Sequence, residues 1–250
     1  MTLGGLGLYR DVAPLDSVRD ADLRLQPVQD FAFARELRDC VITADEFAAA
    51  CHSQPIVFAR GTDGRLFAAT VLALPDSANV FVDKSRRWRD GEYIPAFIRR
   101  YPFVPIMNGD KLALGIDRGY AGLSTETGER LFESGQPTAF TQNVLRFMAE
   151  FQSAWERTLA LTKALDALGL LEPFRVMARH EQHQQVLGGL MRVSEAKFNA
   201  LKDKDSLRLI RNSGLKLAVA QMLSLAQFEK LDCYSRVQQS KQSSIGIQYP

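Results

Sequence analysis

The chain has 250 residues, 46% hydrophobic and 24% charged, with 31 basic against 29 acidic side chains and a formal net charge of +2. These are the proportions of a soluble globular protein, long enough to bury about three-quarters of its unfolded surface without disulfide or metal staples. Balanced charge makes no general case for nucleic acid. No apolar run approaches the roughly 18 residues of a membrane-spanning helix, so membrane insertion is not expected either.

Residues 1–20, Gly-rich and then carrying Pro14 among charges, read as a loose arm. Asp30-Phe31-Ala32-Phe33-Ala34 alternates as a strand or docking segment does. Thr43 followed by Glu46 has capping-box spacing and opens a short helix that must stop before Pro55. The period then changes. Pro55–Arg60, Arg65–Leu74, Asn79–Asp83 and Lys111–Asp117 read as strands around the turns Gly61–Gly64, Pro75–Asn79 and Asn108-Gly109-Asp110. These predict one antiparallel sheet holding residues 55–83 and 111–117.

From Thr138 the apolar period is helical as far as Leu168, with Gly169 as its C-cap, and this helix should cover the sheet. Phe174–Arg179 and Gln184–Met191 read as paired strands. Ser194–Leu201, Lys204–Arg211 and Leu215–Val237 read as helices, with the last 13 residues, 238–250, as a flexible tail. The expected fold is α+β: a mostly antiparallel sheet packed by helices, helix-rich in its C-terminal half, with residues 21–237 as a single domain.

Conventional chemistry finds little support. Cys40, Cys51 and Cys233 match no zinc or redox spacing and read as reduced thiols. The first ten residues lack the pattern of a secretory signal, so the cytoplasm is the expected compartment. His180 and His183 flank the tip of the Phe174–Met191 hairpin, where a solvated turn explains them without a metal. His52 beside Cys51 is no dyad, because adjacent helical residues diverge. No phosphate-cradling loop or nucleophile elbow occurs in a strand–turn–helix context. Neither a catalytic residue, a metal nor a cofactor is therefore assigned.

The exception is Lys84–Pro105, where five arginines, one lysine and five aromatics fall within 22 residues. Arginine clamps carboxylates and stacks on rings, so Trp88, Tyr93, Arg99, Arg100, Tyr101 and Asp117 form the candidate ligand- or partner-binding set. The competing reading is a short buried helix whose arginines pair with Asp83, Asp90, Glu92 or Asp117. Consecutive arginines cannot point the same way. One of Arg99 and Arg100 should turn inward to Asp117 while the other faces a ligand.

Tyr93-Ile94-Pro95-Ala96-Phe97-Ile98-Arg99-Arg100-Tyr101-Pro102-Phe103, preceded by Phe81-Val82-Asp83 and Trp88, resembles the central signature of the bacterial SapC family. Leu112–Asp117, Leu190–Phe198 and Ala220–Leu225 extend the resemblance over roughly residues 20–235. Gly115 ahead of Ile116-Asp117 and the Arg179–His183 turn depart from it. The resemblance implies a role in surface-layer production or in peptide or protein modification, beside enzymes such as tryptophan halogenases. It carries over no catalytic residue. The expected function is a non-enzymatic accessory protein that binds a peptide or protein. The alternatives are an unrecognised enzyme acting on a small anionic substrate through Arg99, Arg100, Tyr101 and Asp117, and a structural component of a surface layer.

Overall fold

The computed structural model describes residues 7–75, 77–108, 111–180 and 183–243. β1 (Val12–Pro14), β2 (Arg24–Leu25) and β3 (Asp39–Val41) precede α1 (Phe47–Ala50), β4 (Ile56–Arg60) and β5 (Leu66–Val71). After α2 (Ala96–Arg99) come β6 (Phe103–Asn108) and β7 (Lys111–Asp117). The short strands β8 (Leu123–Ser124), β9 (Glu129–Arg130), β10 (Phe132–Glu133) and β11 (Gln136–Pro137) lead into α3 (Ala139–Ala167). Then follow β12 (Leu171–His180), β13 (His183–Val193), α4 (Glu195–Asn199), α5 (Asp203–Arg211), α6 (Gly214–Ser224) and α7 (Gln227–Ser243).

The expected α+β class holds, and every strand pairing among the described residues is antiparallel. The expected single sheet does not. β4 and β5 lie in a five-stranded sheet, β12-β13-β4-β5-β3, whereas β7 sits in a separate sheet, β1-β7-β6. Two pairings decide this. β3 occupies the free edge of β5, with Asp39 opposite Val71. β7 folds straight back on β6, with Phe103 opposite Ile116.

Asn79–Asp83 is not a strand. The buried Asn79 side chain donates to the Ala34 carbonyl (3.0 Å) and accepts from the Phe81 amide (2.9 Å), which turns the chain. One isolated bridge, Val82 to Trp88, remains. Residues 30–34 also depart from the alternating-strand expectation, because Asp30 Oδ1 accepts from the Ala32 amide (2.9 Å) and starts a 3-10 turn over Ala32–Ala34.

The N-terminal stretch, expected as a loose arm, is tied down from Leu8 onward. Leu8 is buried, and Val12 to Pro14 pair with Asp117 to Gly115. Residues 1–6 of that stretch lie outside the described residues. Glycine at 115 leaves room for the Ile106 side chain, which a Cβ there would force to shift.

α3 starts at Thr138, whose hydroxyl accepts from the Thr141 amide (3.3 Å). Thr141, Met148, Phe151, Ala154, Thr158, Thr162 and Leu165 form its buried face, and it packs on both β5 and β6. The helix therefore joins the two main sheets instead of covering one. Trp155, half-buried, meets Phe67 at 6.5 Å between ring centroids.

The β12–β13 hairpin matches its expected place and brings His180 opposite His183 in register. Its tip, Glu181 and Gln182, lies outside the described residues, as do the Gly109-Asp110 turn and residues 244–250. The single helix expected over Leu215–Val237 is instead two. Bonds of the tighter i to i−3 kind, from Leu225 to Met222 and Ala226 to Leu223, end α6, and α7 then runs on to Ser243, past the expected start of the tail.

Candidate functional site

The central segment is anchored by carboxylates. The Thr43/Glu46 capping box forms, with the Thr43 amide donating to Glu46 Oε2 at 2.9 Å. The other oxygen of this buried Glu46 accepts from the Ala96 amide (2.7 Å) at the start of α2 and from the Tyr93 hydroxyl (3.0 Å). Ser53 Oγ accepts from the Tyr93 amide, and Gln54 Nε2 donates to the Tyr93 carbonyl. Burial, then the Glu46 charge and hydrogen bond, push the Tyr93 hydroxyl up to about 12. Glu92 accepts from the Tyr234 hydroxyl (2.8 Å) and pairs with Lys230 (3.3 Å), which ties α7 to the same segment.

Arg99 and Arg100 diverge as expected, but the inward partner differs. Arg100 is buried. Its Nε donates to the Tyr9 hydroxyl at 2.9 Å, and its guanidinium lies 4.1 Å from the Phe97 ring centre and 4.9 Å from that of Phe151. Arg99 is exposed and folds back over Tyr93 and Phe147, donating to the Ile94 carbonyl. Asp117, fully buried, makes no ion pair with Arg100. It accepts instead from the amides of Arg10 (3.1 Å), Asp11 (2.9 Å) and Gly119 (3.0 Å) and from the Tyr101 hydroxyl (3.3 Å). Three peptide donors satisfy this carboxylate without a guanidinium, which leaves Arg100 to the aromatic rings.

Trp88 is buried, stacked on Phe81 (5.6 Å) and tilted against Phe31 (5.5 Å). Cys40 and Cys51 are buried as well, and burial raises both thiols away from the reactive thiolate range.

An open cleft of about 520 Å³ lies beside this scaffold, between the chain at Gln26–Phe33 and the Gly119–Gly122 turn. Of the six residues singled out in the sequence, Tyr101 lines it. Trp88, Tyr93, Arg99, Arg100 and Asp117 do not. Tyr101 stacks on Phe33 at 4.0 Å and meets Tyr120 edge-on at 5.7 Å, so three rings form one wall. Burial first, then the Asp117 charge, raises the Tyr101 hydroxyl, which stays protonated as a donor.

The cleft's rim carries charges of both signs: Arg10, Asp30, Glu36 and Arg86. Arg86 pairs with Asp30 at 3.6 Å, and its carbonyl accepts from the Phe31 amide at 2.7 Å. Its φ of +62° is a left-handed backbone that side chains with a Cβ seldom adopt. This residue sits at the rim of the cleft. Reading the sequence alone missed Arg10, Phe33 and Tyr120 as wall residues. The signal for Phe33 was the Phe31–Phe33 pattern, whereas the other two carry none.

Residues 15–231 match the family model SapC. The chain belongs to the SapC family. No curated protein and no solved structure matches it. The SapC match spans both carboxylate anchors, Glu46 and Asp117, and the whole Trp88–Phe103 segment. It also takes in most of the cleft wall, leaving out Gly7, Leu8 and Arg10 at the N-terminal edge.

Proposed function

We propose that this SapC-family chain is a non-enzymatic accessory protein that holds an extended peptide segment in the cleft between Gln26–Phe33 and Gly119–Gly122. The cleft itself carries the reading. Its volume falls in the range of ligand sites, and it joins an aromatic wall to a rim of mixed charge. Such a surface suits a peptide, which brings apolar side chains and both kinds of backbone polar group. The wall also offers backbone of its own. The amides of Val28 and Gln29 have no partner among the described residues, as expected of a chain that can accept a neighbouring strand.

Asp117 behind the Tyr101 wall is ill suited to proton transfer, because three amides already occupy its carboxylate. On this reading the chain presents its peptide in the cytoplasm to a modifying enzyme, such as a tryptophan halogenase, or to the machinery of surface-layer production.

The test is to pan the purified full chain against a random peptide display library and remeasure enriched peptides on variants. Tyr120→Ala and Arg86→Glu should each weaken binding about tenfold, or about 1.4 kcal/mol. Absence of enrichment, or enriched peptides that bind both variants as tightly as wild type, would refute the reading.

A further inference from the structure

α5 and α6 pack against each other across a tight corner. Ser213 takes a left-handed φ of +66°, and a Cβ on Gly214 would press against Leu209. Leu209 of α5 and Leu217, Ala218, Gln221 and Ser224 of α6 face the core. What the pair turns outward is unusual. Leu207 (52%), Ile210 (56%), Val219 (38%) and Leu223 (61%) are four of the nine large hydrophobics exposed among the described residues, and they fall within 17 residues of chain. Isolated exposed aliphatics need no explanation, but a concentration of this kind marks a contact surface.

The charges around it are mainly basic, with Asp203 and Asp205 confined to the first turn of α5. Lys204, Arg208, Arg211 and Lys216 are exposed, and none makes an ion pair among the described residues. From Ser206 to Phe228 the sequence holds Arg208, Arg211 and Lys216 and no acidic residue. Lys204, Asp205, Leu207, Arg208, Arg211 and Asn212 line a shallow groove along α5, three cations against one carboxylate. Aliphatic tips interleaved with unpaired cations are the composition of a helix that lies in a membrane interface.

We infer that the α5–α6 face docks the protein on an anionic lipid bilayer. The cations meet lipid phosphates, and Leu207, Ile210, Val219 and Leu223 enter the headgroup boundary. The contact is peripheral, since no helix among the described residues is long and apolar enough to cross a membrane. An acidic protein could answer the same charge. Four exposed aliphatic side chains with no aromatic anchor among them favour the bilayer.

The test is co-sedimentation of the full chain with phosphatidylcholine vesicles, with and without phosphatidylglycerol. The wild type should bind only the anionic vesicles, and added salt should weaken that binding. Arg208→Glu/Arg211→Glu and Leu207→Ser/Ile210→Ser should each lose about tenfold or more in apparent affinity while melting like wild type, since all four residues are exposed. Lys204→Glu/Lys216→Glu is the second charge variant should the first fail to fold. Four outcomes would overturn the inference: no vesicle binding by wild type, binding unchanged in the serine pair, binding abolished by inorganic phosphate at constant ionic strength, or a wild-type dimer that the serine pair renders monomeric.

Discussion

Arg100 donates its Nε–H to the hydroxyl of Tyr9 at 2.9 Å, which joins the central signature segment to the N-terminal stretch across 91 positions of sequence. The pairing makes Arg100 a packing residue. Its guanidinium lies against the faces of Phe97 and Phe151, and its Nε–H is taken by one phenolic oxygen. Arg100→Ala should therefore lower stability by about 2–4 kcal/mol, from a lost charged hydrogen bond and lost ring contacts. Arg100→Lys should recover only part, because an ammonium cannot stack as a plane. Arg99→Ala should stay within about 0.5 kcal/mol of wild type. Urea unfolding of the three variants checks this, and equal losses at both arginines would contradict it.

Glu46 governs the entry to the same segment. Glu46→Ala leaves the Ala96 amide, the Thr43 amide and the Tyr93 hydroxyl without their acceptor, and about 3 kcal/mol of stability should go with them. Glu46→Gln keeps one carbonyl oxygen and should lose about half as much. Thermal and urea melts that leave the alanine variant unchanged would remove Glu46 from its anchoring role.

Asp20 supplies a pH signature. Burial alone would raise its carboxyl, but hydrogen bonds from Arg19, Arg118 (2.7 Å) and the Asp16 amide outweigh it and hold the group well below the usual carboxylate range. The folded state thus binds this proton less readily than the unfolded chain. Its stabilisation is present above the unfolded pKa of about 3.9 and is lost as pH falls further toward the folded value. Asp20→Asn should cost about 1.5–3 kcal/mol at neutral pH, and the gap to wild type should narrow below about pH 4. A gap that stays constant down to about pH 3 would show that the Asp20 charge is not what matters.

Phe151 and Trp155 test the helix that spans the sheets. Phe151 is buried against the Arg100 guanidinium, and its replacement by alanine should cost about 3–5 kcal/mol. Trp155, half-buried against Phe67, should cost less, about 1–3 kcal/mol. Unfolding measurements that reverse this order would mean that α3 sits in another rotation about its axis.

Where the signal was local, the sequence could be read. The period of α3, the Thr43/Glu46 capping box, the β12–β13 pairing and the divergence of Arg99 from Arg100 all follow from spacing within a few residues. Long-range competition was hidden. Nothing local says that β3 will take the edge of β5, or that three amides will reach Asp117 before a guanidinium does. The site suffered most. Composition drew attention to Trp88, Tyr93, Arg99 and Arg100, of which Trp88, Tyr93 and Arg100 build the scaffold, whereas the cleft is assembled from Arg10, Phe33, Tyr101 and Tyr120, far apart in the chain. Tyr101 belongs to both sets.

Amide hydrogen exchange on the full chain, with and without a saturating peptide from the display selection, tests peptide binding in the cleft most directly. Exchange at Val28 and Gln29 and across Gly119–Gly122 should slow by about tenfold or more, with no comparable change in the β12–β13 hairpin. Protection confined to another surface, or none at the cleft under saturation, would contradict the account.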